Sequence, residues 1–154
     1  MATDLMMYET GSGGDLMIKN NDIETINGLT NQVYLALFGG NVEQSTYDDL
    51  NDIDERLDWW GNNYLSDEFQ FNSIFEKTLM DVALNSEGVN TLINAAKQDL
   101  KYLEEYADIE ISGAVTQINR FELTVNLKEP DMNSTKIKFI WDGTKNELIE
   151  QITI

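Results

Sequence analysis

The feature that most constrains this chain is a change of hydrophobic period near residue 108. Before it, apolar residues recur at helical spacing: Phe71, Ile74, Phe75, Leu79 and Val82, then Val89, Leu92, Ile93, Ala96, Leu100, Leu103 and Ala107. After it they alternate with polar residues: Ile109, Ile111 and Val115, then Phe121, Leu123, Val125 and Leu127, then Ile137, Phe139 and Trp141. Spacing of three and four puts side chains on one stripe of a helix, whereas strict alternation puts them on one face of a strand. The pattern predicts two central amphipathic helices, separated by Asn85-Ser86-Glu87-Gly88, and a half-buried antiparallel sheet that follows them.

Turn chemistry fixes the ends of these elements. Pro130 to Ser134 joins the second and third strands, where the single proline removes no ladder bond. Asp142-Gly143 makes another turn, and Leu148, Ile149, Ile152 and Ile154 fit one more strand, giving a sheet of three to four strands. Ahead of the helices, Leu5 to Tyr8 and Asp15 to Lys19 flank Gly11-Ser12-Gly13-Gly14 as a short hairpin, and Ile23 to Ile26 is a further extended piece. A helix follows, capped from Asn27 or Thr30, with Leu29, Val33, Ala36 and Leu37 on one stripe and Gly39-Gly40 as its stop. The fold class expected is α+β, as one domain over residues 1–154, a length suited to a single core.

Residues 41–68 hold nine acids and one base with little period, and are read as a long acidic surface loop or short helix that returns to the core through Trp59-Trp60-Gly61 and Tyr64-Leu65. Trp59 and Trp60 stand side by side: either both rings pack locally under the acidic loop or one anchors a partner, and because neighbours in an extended segment point opposite ways, local packing suits one of them better than both.

Charge and composition exclude more than they assign. Ten Lys plus Arg against 28 Asp plus Glu leave a formal net charge of −18, which repels a phosphate backbone, so nucleic acid is not an expected partner. The acidity is concentrated in residues 1–108, with 21 acids and five bases, and a basic partner surface suits that region. With no Cys and no His, disulfides, thiolate metal sites and the Ser-His triad are all absent. No apolar run is long enough to span a bilayer, and the start, with Asp4 and no early Lys or Arg, does not read as a signal peptide; a soluble protein made in a reducing cytoplasm is expected. Neighbouring acids at Asp48-Asp49 and Glu104-Glu105 raise a glycosidase-like alternative, but nothing around them predicts the desolvated carboxyl that such chemistry needs. Asp48, Asp49, Asp52, Asp54 and Glu55 do not have the spacing of a calcium loop. No catalytic, cofactor-binding or metal site is assigned, and the chain is expected not to be an enzyme.

Taken in order, Gly14-Asp15-Leu16 in an early strand, Gly28-Leu29 opening a helix with Val33, Leu35, Leu37 and Phe38, and then Trp59-Trp60-Gly61 resemble a known family. It is that of the small baseplate wedge proteins of contractile tails, of the phage Mu type, related to the T4-type wedge protein that initiates the sheath. The second helix, the alternating strands and the pair Phe139 and Trp141 also fit, and the resemblance covers roughly residues 4–141. Asn62 replaces the family's usual acid, Gly39-Gly40 stand where basic residues are usual, and the tail 142–154 is longer.

The resemblance implies a structural protein of the virion, assembled in the host cytoplasm, with several copies, expected to be six, around the tail axis. Its implied partners are baseplate wedge subunits and the tail sheath protein, with the tail tube as a further neighbour, and neither membrane nor cofactor. An exposed sheet edge that accepts a strand from another chain supplies a mechanism. The residues expected to bind partners are Trp59, Trp60, Glu147, Leu148, Ile149, Ile152 and Ile154, with the terminal segment either pairing as the chain's own last strand or exchanging with a neighbour. The rival reading is a tail-associated cell-wall hydrolase using acidic residues, and a third is an acidic adaptor that binds a basic protein.

Overall fold

A computed structural model describes residues 3–9, 14–39, 64 and 73–154. Among the described residues, ten strands and three α-helices follow one another in an α+β arrangement. They are β1 (Thr3–Leu5), β2 (Met7–Glu9), β3 (Gly14–Leu16), β4 (Ile18–Lys19), β5 (Asp22–Ile23), β6 (Thr25–Asn27), α1 (Thr30–Phe38), α2 (Ile74–Asp81), α3 (Ser86–Leu100), β7 (Asp108–Gln117), β8 (Arg120–Lys128), β9 (Thr135–Asp142) and β10 (Glu147–Thr153). A 3-10 segment, Lys101–Glu105, continues α3.

The four long strands form one antiparallel sheet in the order β10-β9-β8-β7. Alternation puts Phe121, Leu123, Val125, Leu127, Ile137, Phe139 and Trp141 on one face, all buried, as their spacing predicted. The helices cover that face. Leu92, Ala96, Leu100 and Leu103 meet it from α3 and its extension, and Phe38 joins three elements, with ring centroids 5.6 Å from Phe75 and 5.1 Å from Phe139. Seven of the nine residues of α1 are buried, more than a single stripe accounts for, because this helix packs between the other helices and the amino-terminal strands. Gly113 of β7 leaves room for the Phe121 ring, whose nearest carbon lies 2.6 Å from where a Cβ would stand.

Helix ends show how the pieces are tied. Asn85 caps α3 locally, accepting from the amides of Glu87 and Gly88. Neither α1 nor α2 has a local side-chain cap. Instead Glu129, from the β8–β9 loop, accepts the Leu29 amide at 3.1 Å, beside Gly28 at φ +83 where its carboxylate occupies the space a Cβ would need. Asp99 of α3 accepts the Phe75 amide in the first turn of α2 at 2.7 Å. The expected glycine stop differs as well: Gly39 keeps a right-handed φ of −75 and its amide bonds Leu35 O.

The amino-terminal strands form a three-way junction. Residues 3–9, 14–19 and 22–27 are three extended runs, and each divides its pairing between the other two: β1 with β6, β2 with β3, and β4 with β5. At the centre Met6 donates to Glu24 O (2.9 Å), Glu24 to Met17 O (2.8 Å) and Met17 to Met6 O (2.8 Å), closing a cycle of three main-chain bonds. Asn31, buried at the start of α1, holds this junction to the helix. Its Oδ1 accepts the Met7 amide, and its Nδ2 donates to Leu5 O and to Asp4 Oδ2.

Candidate functional site

The carboxy-terminal segment read from sequence as a strand is β10, paired antiparallel with β9 and lying at the edge of the sheet. The pairing is internal to the chain. Lys136 and Ile154 exchange both main-chain bonds, each at 2.8 Å, which makes them a hydrogen-bonded pair. In an antiparallel ladder such pairs alternate with pairs whose main-chain groups point away from each other. Ile152, opposite Lys138, therefore bonds to β9, while the N–H and C=O of Gln151 and Thr153 point out of the sheet. Among the described residues no strand pairs with that outer side.

A bulge decides which side chains lie where. The register slips between Leu148 and Glu150, so Leu148 faces inward opposite Trp141 and is 4% exposed, whereas Ile152 and Ile154 stand on the outer face with Ile140. Ile154 is 73% exposed. Gln151 and Thr153 lie opposite the buried Phe139 and Ile137 and share their inner face. Both side-chain polar atoms of Gln151 and the Thr153 hydroxyl are buried without a hydrogen-bond partner.

Of the residues expected to bind partners, the structure gathers Ile152 and Ile154 at this rim, places Ile149 in the bulge and gives Glu147 an ion pair with Lys145 at 3.1 Å. Leu148 belongs to the core. Trp59 and Trp60 lie outside the described residues, as do Asp48, Asp49, Asp52, Asp54 and Glu55. Sequence reasoning missed Gln151 and Thr153, since the bulge that turns them inward leaves no mark in the spacing.

The opposite rim is differently made. On β7, Asp108, Glu110 and Ser112 are exposed and a register shift falls between Val115 and Gln117, features that blunt an edge. The outer face between the rims carries ion pairs of Lys138 with Glu122 (2.8 Å) and Arg120 with Asp142 (3.6 Å).

Other candidates are weaker. Glu104 and Glu105 are exposed on the 3-10 segment. Asp99 has its carboxyl pushed up to about 7 by burial, against the opposing amide bonds from Phe75 and Ile74, but it serves as the cap of α2. An open groove of about 410 Å³ is lined by Gly28, Leu29, Gln32, Glu129, Pro130, Asp131 and Met132, and its Glu129 is engaged with Leu29. Among the described residues no three Asp or Glu gather to hold a metal ion, and no helix is long and apolar enough to cross a membrane. Comparison with protein-family models, curated proteins and solved structures finds no match to the chain.

Proposed function

We propose that the chain is a structural component of a contractile-tail baseplate, linking the inner wedge to the first sheath ring by accepting a strand at the outer rim of β10. The observation that supports this reading is the outer side of β10, with which no strand pairs among the described residues and where the main-chain groups of Gln151 and Thr153 point outward beside half-buried Ile152 and exposed Ile154. An added strand gains main-chain hydrogen bonds there without any pocket. The resemblance of residues 4–141 to small baseplate wedge proteins supplies the identity of the partners: wedge subunits, sheath protein and tail tube, with six copies around the axis of the virion tail.

Proline substitution separates the rim from the fold. Thr153→Pro removes an outward N–H and spares the β9 ladder, a position where an edge strand tolerates proline. Ile152→Pro removes a bond to β9. Thr153→Pro is expected to leave the isolated chain folded and to lower sheath assembly on baseplates at least tenfold, while Ile152→Pro damages the fold as well. Normal sheaths on particles carrying folded Thr153→Pro protein would overturn the reading.

A further inference from the structure

We infer that one face of the amino-terminal three-way junction, bearing Leu5, Leu16, Ile18 and Ile23, docks an amphipathic helix of another protein whose apolar stripe is bordered by Lys or Arg. The inference goes beyond the strand-addition reading and stands on different residues. Its basis is a short repeat: Asp4-Leu5-Met6-Met7, Asp15-Leu16-Met17-Ile18 and Asp22-Ile23-Glu24-Thr25 run in parallel. The third members, Met6, Met17 and Glu24, are the residues that close the central cycle of main-chain bonds, so the three runs meet with approximate threefold symmetry.

Directly opposite residues of paired strands share a face, and neighbours along a strand alternate. Pairing of Leu5 with Thr25, Met7 with Leu16 and Ile18 with Ile23 therefore gathers the second and fourth members of the repeats on one face, and five of those six are apolar. Met7 packs against the core. The other four meet solvent, with Leu5 43%, Leu16 37%, Ile18 71% and Ile23 45% exposed. A cluster of large apolar residues left exposed together marks an interaction site, unlike single ones scattered over a surface. Asn20 and Asn21, at φ 53 and 65, make the tight turn that sets Ile18 opposite Ile23, so the patch is shaped before any partner arrives.

The first members of the repeats say what covers this face. Both main-chain groups of Met6, Met17 and Glu24 point into the junction, so those of the residues before them point off the strand edges. There Asp4, Asp15 and Asp22 accept the amides of Leu5, Leu16 and Ile23 at 2.8, 2.7 and 2.9 Å. A carboxylate at each edge blunts strand pairing, which leaves the face as the surface on offer, and a helix laid on a sheet face is the ordinary way to cover one. The same carboxylates border the apolar patch with negative charge. Among the described residues Asp15 and Asp22 form no ion pair, and Lys19, the one base of the three runs, is paired with Glu24 at 3.7 Å. A basic border on the helix complements that charge, whereas a second copy of a chain with net charge −18 opposes it.

The test titrates the isotope-labelled full chain with the capped peptide Lys-Leu-Ala-Lys-Leu-Leu-Lys-Lys-Leu-Ala-Lys-Leu-Leu-Lys-Lys-Leu, whose leucines share one helix stripe, and with an isomer that spreads them around the helix. Expected are shifts of the Leu5, Leu16, Ile18 and Ile23 signals with the first peptide and at least tenfold weaker binding of the isomer. Ile18→Ser/Ile23→Ser, shown to be folded by unchanged signals from the β7–β10 sheet, is expected to bind at least tenfold more weakly. Asp15→Asn/Asp22→Asn keeps an acceptor for each amide, removes the charge and is expected to bind at least threefold more weakly at low salt. Four unmoved signals, equal binding of the two peptides, or full affinity in the folded serine variant would overturn the docking face. Full affinity in the asparagine variant would overturn the basic border. Signals that shift with protein concentration alone would put a second copy on the face and overturn the helix.

Discussion

Asp99 Oδ2 accepts the Phe75 amide at 2.7 Å, so a carboxylate on α3 closes the first turn of α2. The bond joins the two helices by more than apolar packing and does so with a group that burial disfavours as an anion. Replacing it distinguishes the two effects. Asp99→Ala leaves a helix-end donor without an acceptor and is expected to cost about 1–2 kcal/mol in urea unfolding. Asp99→Asn keeps an acceptor and removes the buried charge, so at pH 8 it is expected to be at least as stable as the parent.

The same carboxyl sets a pH dependence. Its value rises from the ordinary 3.8 to about 7 on folding, with desolvation as the largest cause. Across that window the folded state holds more protons than the unfolded state, so the contribution to stability is complete below about pH 4 and is lost as pH rises through 7. Unfolding followed at several pH values is expected to show the parent losing stability relative to Asp99→Asn between those limits. Parallel curves would mean that the carboxyl is not buried as described.

Asn31 is predicted to be the most sensitive polar residue of the amino-terminal half. Its amide serves the Met7 N–H, Leu5 O and Asp4 Oδ2 at 3.0, 2.7 and 3.0 Å from a buried position. Asn31→Ala is expected to destabilise the chain by about 2–3 kcal/mol, since several groups lose their partner together. Asn31→Asp, close in size, replaces a donor with an anion facing Asp4 and is expected to cost at least as much. Amide exchange should report the loss first at Met7.

Gly113 is required by the Phe121 ring that crosses it. Gly113→Val adds β propensity but places a side chain against Phe121 and Ile93, and overpacking of this kind costs about 1–3 kcal/mol. A gain in thermal stability would show that the ring moves aside freely.

The sheet was legible in the sequence almost residue by residue, because one face of β8 and β9 is wholly buried and alternation of Phe121 to Leu127 and Ile137 to Trp141 leaves no other register. Asn85 was read only as part of the break between the two helices, although its capping of α3 is local, with bonds from amides two and three residues away. The caps of α1 and α2 were not legible, because Glu129 and Asp99 lie 100 and 24 residues from the amides they serve. The junction of Met6, Met17 and Glu24 was hidden too: its bonds are main-chain, and neither two methionines nor a glutamate announces a change of pairing partner.

The rim was read only in part. Leu148, Ile152 and Ile154 would share a face in a regular strand, and the extra residue at the bulge separates Leu148 in the core from Ile152 and Ile154 outside. Position along the chain was right, while the division into core and rim needed the register.

The central claim, that the outer side of β10 receives a strand in the assembled baseplate, is tested most directly by residue-resolved hydrogen exchange of the Gln151 and Thr153 main-chain amides. In the isolated chain both are expected to exchange faster than the amides of Ile152 and Ile154, which bond to β9. In the assembled particle they are expected to slow at least a hundredfold. Exchange of Gln151 and Thr153 that stays as fast in the particle as in the free chain would contradict the account.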